Sequence, residues 1–324
     1  MIDGFTLLPI SEAEKSEILS KILSGVSSEK IFDEEINFFE GIELFQNNRS
    51  RTSGSPKIAV VLNPWLGRFG NNFIQTSNAL KFAKVTGIDY LCLPEHEFIG
   101  SFSLPMVSAG LCDENIDSYD YLLSSQFWPW PSKSYYPLFD YQFDSSVIGA
   151  LRESINFVRA DTISPNDLTC FIRSGDIFIE SPNSQYGQPP LSFYRKVITE
   201  GAWEKIYIAA EDDKNPVSGA LLGFCKEKRF NHQLIRRGMR GDFEFLLGST
   251  NICGGFTSLL PAIAKISTDL IRSFSFETRI WEEGIEIQIN DANGHYKDSV
   301  LNNNWANTSE QRELMLTYSI ENLG

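Results

Sequence analysis

The stretch KIAVVL (57–62), followed by NPWLGRFGNNFIQTSNALKFAKVTG (63–87), decides the fold class. Its opening run is short, apolar and β-branched, the composition of a strand buried on both faces in the middle of a parallel sheet. A glycine-bearing turn comes next. The following helix places Phe73, Ile74, Ser77, Leu80 and Ala83 on one side, turns Lys81 and Lys84 to solvent, and ends at Gly87.

The same strand, turn and helix grammar recurs downstream. Leu168–Ile172 reads as a strand ended by Gly175, and Ser192–Thr199 as a helix. Ile206–Ala210 reads as a strand closed by Glu211, Asp212 and Asp213, and Phe243–Leu247 as a helix. Asn251–Cys253 is a short strand that runs through Gly254 and Gly255 into a further helix. Strands alternating with helices call for parallel sheets rather than a sandwich of hairpins. Upstream, Ser11 and Glu14 form a capping box, Ile18, Leu19, Ile22 and Leu23 recur at helical spacing, and Gly25 suits the stop. QNNRSRTSGSP (46–56) carries no periodicity and reads as a loop or linker.

This organisation predicts an N-terminal helical segment and linker over 1–56, an α/β domain over 57–160, a second over 161–290, and a polar tail over 291–324. An aromatic-rich stretch, SSQFWPWPSKSYYPLFDYQF, separates the two α/β series. The tail is rich in Asn, Asp and Ser, so it is expected to wrap the surface or stay mobile.

Charge and composition exclude several functions. With 28 basic against 42 acidic side chains, the net charge of -14 repels a polyanion, so no nucleic-acid partner is expected. A few converging arginines still suffice for a small phosphorylated ligand. His96, His232 and His295 have no metal-ligand spacing, and Cys92, Cys112, Cys170, Cys225 and Cys253 are far apart and read as reduced core thiols. No apolar run reaches transmembrane length and the N-terminus does not read as a signal peptide, which places the chain in the cytoplasm, with room for a peripheral seat on a membrane.

Three segments carry residue types suited to a phosphorylated sugar ligand. GRFGNNFIQ (67–75) sits between a strand and a helix, where open α/β sheets bind ligands, and Asn71, Asn72 and Gln75 both donate and accept hydrogen bonds, as sugar hydroxyls require. The same residues equally make a tight turn with an asparagine cap. In FIRSGD (171–176), Arg173 suits a bidentate phosphate contact and Asp176 suits locking that guanidinium, or the two form a structural ion pair. In GGFTSLLPA (254–262), Thr257 and Ser258 beside free N–H groups at a helix start suit a diphosphate, or cap the helix. Glu211–Asp213 reads as a metal-binding cluster, a seat for base or ribose, or a solvated strand end. Trp128 and Trp130 suit stacking on acceptor sugars or plugging a core.

In order and spacing over about residues 57 to 268, these segments resemble the alpha-1,2-fucosyltransferases. GRFGNNFIQTSNALKFAKVTG is similar to that family's opening glycine-arginine-hydrophobic-glycine-asparagine motif. FIRSGD resembles its H-x-R-x-G-D motif, and LSFYRKVI stands where the family has a helix with paired aromatics. IYIAAEDD resembles its strand ending in Ser-Asp-Asp, and DFEFLLGSTNICGGFTSLLPA its Asp-Phe and Asn-Ser-x-Phe-Ser-Trp-Trp-Gly-Ala region. The resemblance implies a GT-B-like pair of Rossmann-type domains with a cleft between them. It implies inverting transfer of fucose from GDP-fucose to a glycan hydroxyl, with no metal and no cofactor beyond the nucleotide sugar. The acceptors it implies are bacterial-type surface glycans or their lipid-linked precursors.

Carried over, Arg173 binds the donor phosphate, Asp176 orders the motif and Ser258 meets the diphosphate. Gly67, Arg68, Gly70, Asn71, Asn72 and Gln75 line the cleft, and Glu211, Asp212 and Thr257 complete the nucleotide-sugar set. Phe171 replaces the motif's histidine, Ser174 its second arginine, Ala210 the serine of Ser-Asp-Asp, and Leu259 and Leu260 its tryptophan pair. Those departures remove donor contacts, for which IRRGMRGD, with Arg236, Arg237 and Arg240, is a candidate replacement. They also keep open a non-catalytic carbohydrate- or nucleotide-binding relative and, more distantly, an α/β enzyme with another phosphorylated cofactor. Asp89, Glu95 and Glu97 are the candidate general bases of the first domain.

Overall fold

A computed structural model describes residues 5–7, 11–24, 41–49, 56–103, 107–111, 116–128, 149, 151–155, 162–184, 186–255, 257–276 and 304–322. The chain divides into two compact α/β units, Met1–Asn156 and Phe157–Gly324.

The first unit is built on a seven-stranded sheet. Its elements are β1 (Phe5–Leu7), α1 (Glu12–Leu23), β2 (Glu43–Asn47), β3 (Ile58–Leu62), α2 (Phe69–Thr86), β4 (Tyr90–Leu93), β5 (Phe102–Ser103), β6 (Ser108–Leu111) and β7 (Tyr121–Ser125). The strand order is β1-β2-β7-β3-β4-β6-β5. The inner pairings β7–β3, β3–β4 and β4–β6 are parallel, whereas β1, β2 and β5 join antiparallel at the edges. Every residue of β3 is buried, as its apolar run requires of a central strand. Ala59 and Val61 pack with Cys92 and Leu122 on one face, where Phe45 of β2 joins them.

Residues 1–56 are therefore not only a helix and a linker. β1 and β2 extend the unit's own sheet, and Gln46 and Asn47 lie inside β2. ELFQN carries no alternation that would separate it from a loop, and its pairing with β7 is a long-range event. The capping box of α1 forms as read, with Glu14 N–H donating to Ser11 Oγ and Ser11 N–H donating back to the Glu14 carboxylate. Gly25 lies outside the described residues.

The second unit carries a five-stranded sheet. Its elements are β8 (Asp167–Ile172), α3 (Leu191–Glu200), β9 (Lys205–Ala210), α4 (Pro216–Glu227), β10 (His232–Ile235), α5 (Gly238–Leu247), β11 (Asn251–Gly254), α6 (Leu259–Ile266), β12 (Arg272–Ser275) and α7 (Ser309–Thr317). The order β10-β9-β8-β11-β12 is parallel throughout. In chain order that is the third, second, first, fourth and fifth strand, a Rossmann-type doubly wound sheet. The four parallel strands of the first unit, β6-β4-β3-β7, follow the same rule, the last returning beside the first.

The polar tail does not behave as its composition suggests. Residues 304–322 dock on the second unit through a few buried side chains, and α7 packs against α3 and α4. Thr308 and Gln311 form a capping box that starts α7, and Trp305, Met315 and Tyr318 are buried among Val197, Leu221 and Phe274 of the core cluster. A few large apolar groups among many polar ones suffice to dock a segment, because each buried large side chain contributes about 2–3 kcal/mol. Residues 291–303 lie outside the described set.

Candidate functional site

In a doubly wound sheet, the crossovers leave in opposite directions beside the first strand, which opens a crevice at the strands' carboxyl ends. In the first unit that point lies between β3 and β7, and GRFGNNFIQ follows β3. In the second it lies between β8 and β11, and FIRSGD and GGFTSLLPA follow those two strands. The two switch points are used differently.

At the first, the amides turn inward. Gln75 is fully buried, and its Oε1 accepts from Leu66 N–H at 2.9 Å and from Asn72 Nδ2 at 3.3 Å. Its Nε2 donates to Pro64 O at 3.1 Å and Gln126 O at 2.7 Å, so one side chain joins the loops after β3 and β7. Asn78 repeats the link to Phe127 O. Asn72, also buried, donates to Leu66 O and accepts from His96 Nε2. His96 Nδ1 accepts from Phe98 N–H at 3.0 Å and Ile99 N–H at 3.1 Å, which fixes the neutral tautomer with its proton on Nε2. Burial holds the His96 pKa below its ordinary value, against the opposing pull of Glu97.

Gly67 shapes the turn. Gly67 has φ +69°, and a side chain there would collide with the Asn71 amide. Asn71 stands in the first turn of α2 and is half-buried, Gly70 is buried, and Arg68 is exposed at the N-cap. Of the residues assigned to ligand binding here, Asn72 and Gln75 spend their polar capacity on the turn itself. Arg68 faces solvent. Trp128 is half-buried just past β7, while Trp130 lies outside the described residues. Asp89, Glu95 and Glu97 are all exposed.

At the second switch point Asp176 and Glu211 are exposed at the edge, with the Arg173 side chain largely buried beside them. Arg173, 14% exposed, stacks its guanidinium 4.4 Å above the Tyr186 ring and reaches Asp176 Oδ2 at 3.4 Å. That long contact, with Asp176 46% exposed, makes a weak ion pair that an incoming anion can outcompete. Gly175 has φ +63°, and a Cβ on it would come within 2.6 Å of Glu211 Oε2, so the Glu211 carboxylate lies against the turn's backbone. Ser174, buried, donates to Asp212 Oδ1, and its own Oγ accepts from Asn215 N–H at 3.1 Å. Asn215 Nδ2 donates to Arg173 O at 2.9 Å while its Oδ1 caps α4. This knot binds the loop after β8 to the loop after β9. Burial works to raise the Asp212 carboxyl, but Ser174, Lys214 and the Gly175 N–H outweigh it and hold it below the usual carboxylate range.

The three acids of Glu211–Asp213 face different partners. Asp212 goes to Ser174, Glu211 lies over Gly175, and Asp213 accepts both guanidinium nitrogens of Arg236 at 2.7 and 3.0 Å. Among the described residues, no group of three or more His, Cys, Asp or Glu is placed to hold a metal ion. Arg236 is thus engaged, Arg237 stacks on Phe245, and Arg240 reaches Glu244.

At the start of α6, Thr257 Oγ1 accepts from Leu259 N–H at 3.1 Å, and Ser258 is the N-cap with no side-chain cap bond. Gly255 has a packing role, because a Cβ there would meet the Pro189 ring. Sequence reasoning missed Tyr186, Asn215 and the Ser174–Asp212 bond. Asn215-Pro216 is a legible helix start, with Asn as N-cap and Pro at N1. Tyr186 had no local signal. Cys170 and Cys253 pair across β8 and β11, where burial pushes the Cys170 thiol well up, while Cys112 lies outside the described residues.

No family model matches the chain, and no curated protein matches it. Solved structures that match include Escherichia coli ADP-heptose LPS heptosyltransferase II, at 11% identity over 68% of this chain and 85% of that chain, with a TM-score of 0.32. That likeness is too distant to carry an argument, and the assignment of Rossmann-type units rests on the strand order. No helix among the described residues is long and apolar enough to cross a membrane.

Proposed function

We propose that the chain is a glycosyltransferase whose second unit binds the nucleotide-diphosphate part of a sugar donor at the carboxyl edge of β8, β9 and β11. The observation that carries this reading is the convergence at one edge of three segments far apart in sequence. Arg173–Asp176, Glu211–Asp212 and Thr257–Ser258 all follow strands that are neighbours in the sheet, and two of them flank its switch point. Arg173 meets the diphosphate and stabilises the charge that builds on it as the sugar leaves. The start of α6, where Ser258 makes no side-chain cap bond, offers further donors beside the one that Thr257 takes. Glu211, at the end of the unit's second strand, is suited to accept hydrogen bonds from ribose hydroxyls.

The finer reading, GDP-fucose as donor and inverting transfer to a glycan hydroxyl without a metal, follows from the motif resemblance to the alpha-1,2-fucosyltransferases. The architecture it entails is GT-B-like. A second reading has a specific observation behind it. Ser174 stands where that motif has its second arginine, and it is buried on Asp212. A site with one arginine suits a relative that binds a nucleotide or glycan without turnover. Thermal-shift titration with GDP, UDP, ADP and CMP tests the site. Incubation with GDP-fucose and a panel of glycan acceptors, followed by GDP release, separates transferase from binder. Absence of a shift with every nucleotide removes both readings.

A further inference from the structure

Arg173 owes its orientation to two partners, Asp176 and the Tyr186 ring, which bracket the loop between β8 and α3. That loop is held from the far end of the chain. Trp305 is fully buried, and its Nε1–H donates to Ile177 O at 2.7 Å, one residue past Asp176. Its backbone N–H donates to Ser184 O at 2.9 Å, two residues before Tyr186, whose own N–H is held by Asn183 O at 3.1 Å. The Trp305 ring meets Phe178 edge-on at 5.2 Å. Asn307 adds a bond from Nδ2 to Ile179 O at 2.8 Å.

The segment that makes these contacts is itself rigid. Gln311, buried on α7, donates to Asn304 O at 2.7 Å and accepts from Ala306 N–H and Thr308 N–H at 2.8 and 3.3 Å. Arg312 Nε donates to Asn307 Oδ1 at 2.8 Å. A chain of fixed groups thus runs from α7 through Gln311 to Trp305 and Asn307, then to both ends of the loop that aims Arg173. A loop of this length with only its own backbone bonds would be free to move Asp176 and the Tyr186 ring apart.

We infer that Trp305 is a positioning residue for the nucleotide site, setting the Arg173 guanidinium through Ile177 and Ser184 rather than touching ligand. This rests on the donor-site reading above, so the test separates the two. Trp305→Phe keeps a ring and removes the Nε1 donor. Asn307→Gly, which keeps the left-handed backbone at φ +57°, removes the second strut from an exposed position and serves if the first variant folds poorly. The readouts are hydrogen exchange over 173–186 and GDP affinity by calorimetry, in the native and the Arg173→Ala backgrounds.

The expected result is faster exchange in that loop and about 3- to 10-fold weaker GDP binding in the native background, the size of one lost buried hydrogen bond. In the Arg173→Ala background the second effect should vanish, because a residue acting through Arg173 has nothing left to act on. Unchanged loop exchange in both variants overturns the inference, and so does an equal affinity loss with and without Arg173. If the native protein binds none of GDP, UDP or ADP, the donor reading fails by itself and Trp305 has no nucleotide site to position.

Discussion

The two units apply one strand order to opposite ends. Both carry their motif at a switch point of parallel strands, yet the first unit ties its amides to its own backbone and the second holds a largely buried arginine beside exposed carboxylates. Gln75, Asn72 and Asn78 close the crossover of the first sheet by bonding to backbone groups at a half-buried junction, and His96 bonds the Asn72 amide oxygen. At the second, the equivalent closure is assigned to Ser174, Asp212 and Asn215, which leaves Arg173, Asp176 and Glu211 nearer to solvent. A motif's position in the topology therefore does not reveal whether its polar groups serve a ligand or the fold. The partners of each atom do.

The largest effect should come from Gln75→Ala. It empties a fully buried side-chain site and removes the partners of Leu66 N–H, Pro64 O and Gln126 O at a half-buried loop junction, at about 2–4 kcal/mol for the first unit. Urea unfolding, with each unit's transition resolved, should show that loss with nucleotide affinity unchanged. A loss below about 1 kcal/mol, or a marked fall in affinity, would erase the contrast between the two edges.

Next in size is Arg173→Ala. Removing one charge-assisted contact should weaken the nucleotide about 10- to 150-fold. The melting temperature should fall only modestly, because the lost pair with Asp176 is long and half in water and the lost stacking on Tyr186 is worth about 0.5–2 kcal/mol. Arg173→Lys keeps the charge without the planar fork and should recover only part of the affinity. An unaltered affinity in a well-folded Arg173→Ala protein would mean that the second edge is as structural as the first.

A smaller effect is tied to pH. The folded state holds the His96 pKa below 6.5, so the unfolded chain binds more protons in the window between the depressed value and 6.5. The stability due to neutral His96 is fully present above 6.5 and drains away as pH falls through that window. Protonation would also place a proton on Nδ1, where Phe98 and Ile99 already donate. The first unit's denaturation midpoint should fall between about pH 7 and about pH 5, and His96→Gln should flatten that slope. A slope carried by the second unit would contradict it.

The smallest expected change is with metal removal. Glu211, Asp212 and Asp213 look to separate partners, so EDTA should leave nucleotide affinity within error. Binding lost to EDTA and restored by manganese would reassign those carboxylates as ligands.

Much of the fold was legible because its signals are local. The buried run at 58–62, the capping box at Ser11 and Glu14, and the helix that follows GRFG each lie within a few turns of chain. β1, β2, β4, β5, β6, β7, β10 and β12 were missed because short strands without a continuous apolar run or a flanking motif take their stability from neighbours, not from their own pattern. Of the candidate site, the positions of Arg173 and Thr257 at strand ends were readable. The fate of each polar atom was not.

The sequence by itself determined the alternation of strands and helices, the acidic surface and the segments able to sit at sheet edges, since all three follow from residue types and short-range periodicity. Only the tertiary structure decided which amides are spent and which charges stay near solvent. Gln75 is committed by a carbonyl 51 residues away, and the loop of Arg173 by an indole N–H 128 residues from its acceptor. A hydrogen bond acts over about 3 Å, and no short-range pattern encodes which distant group will arrive within that reach.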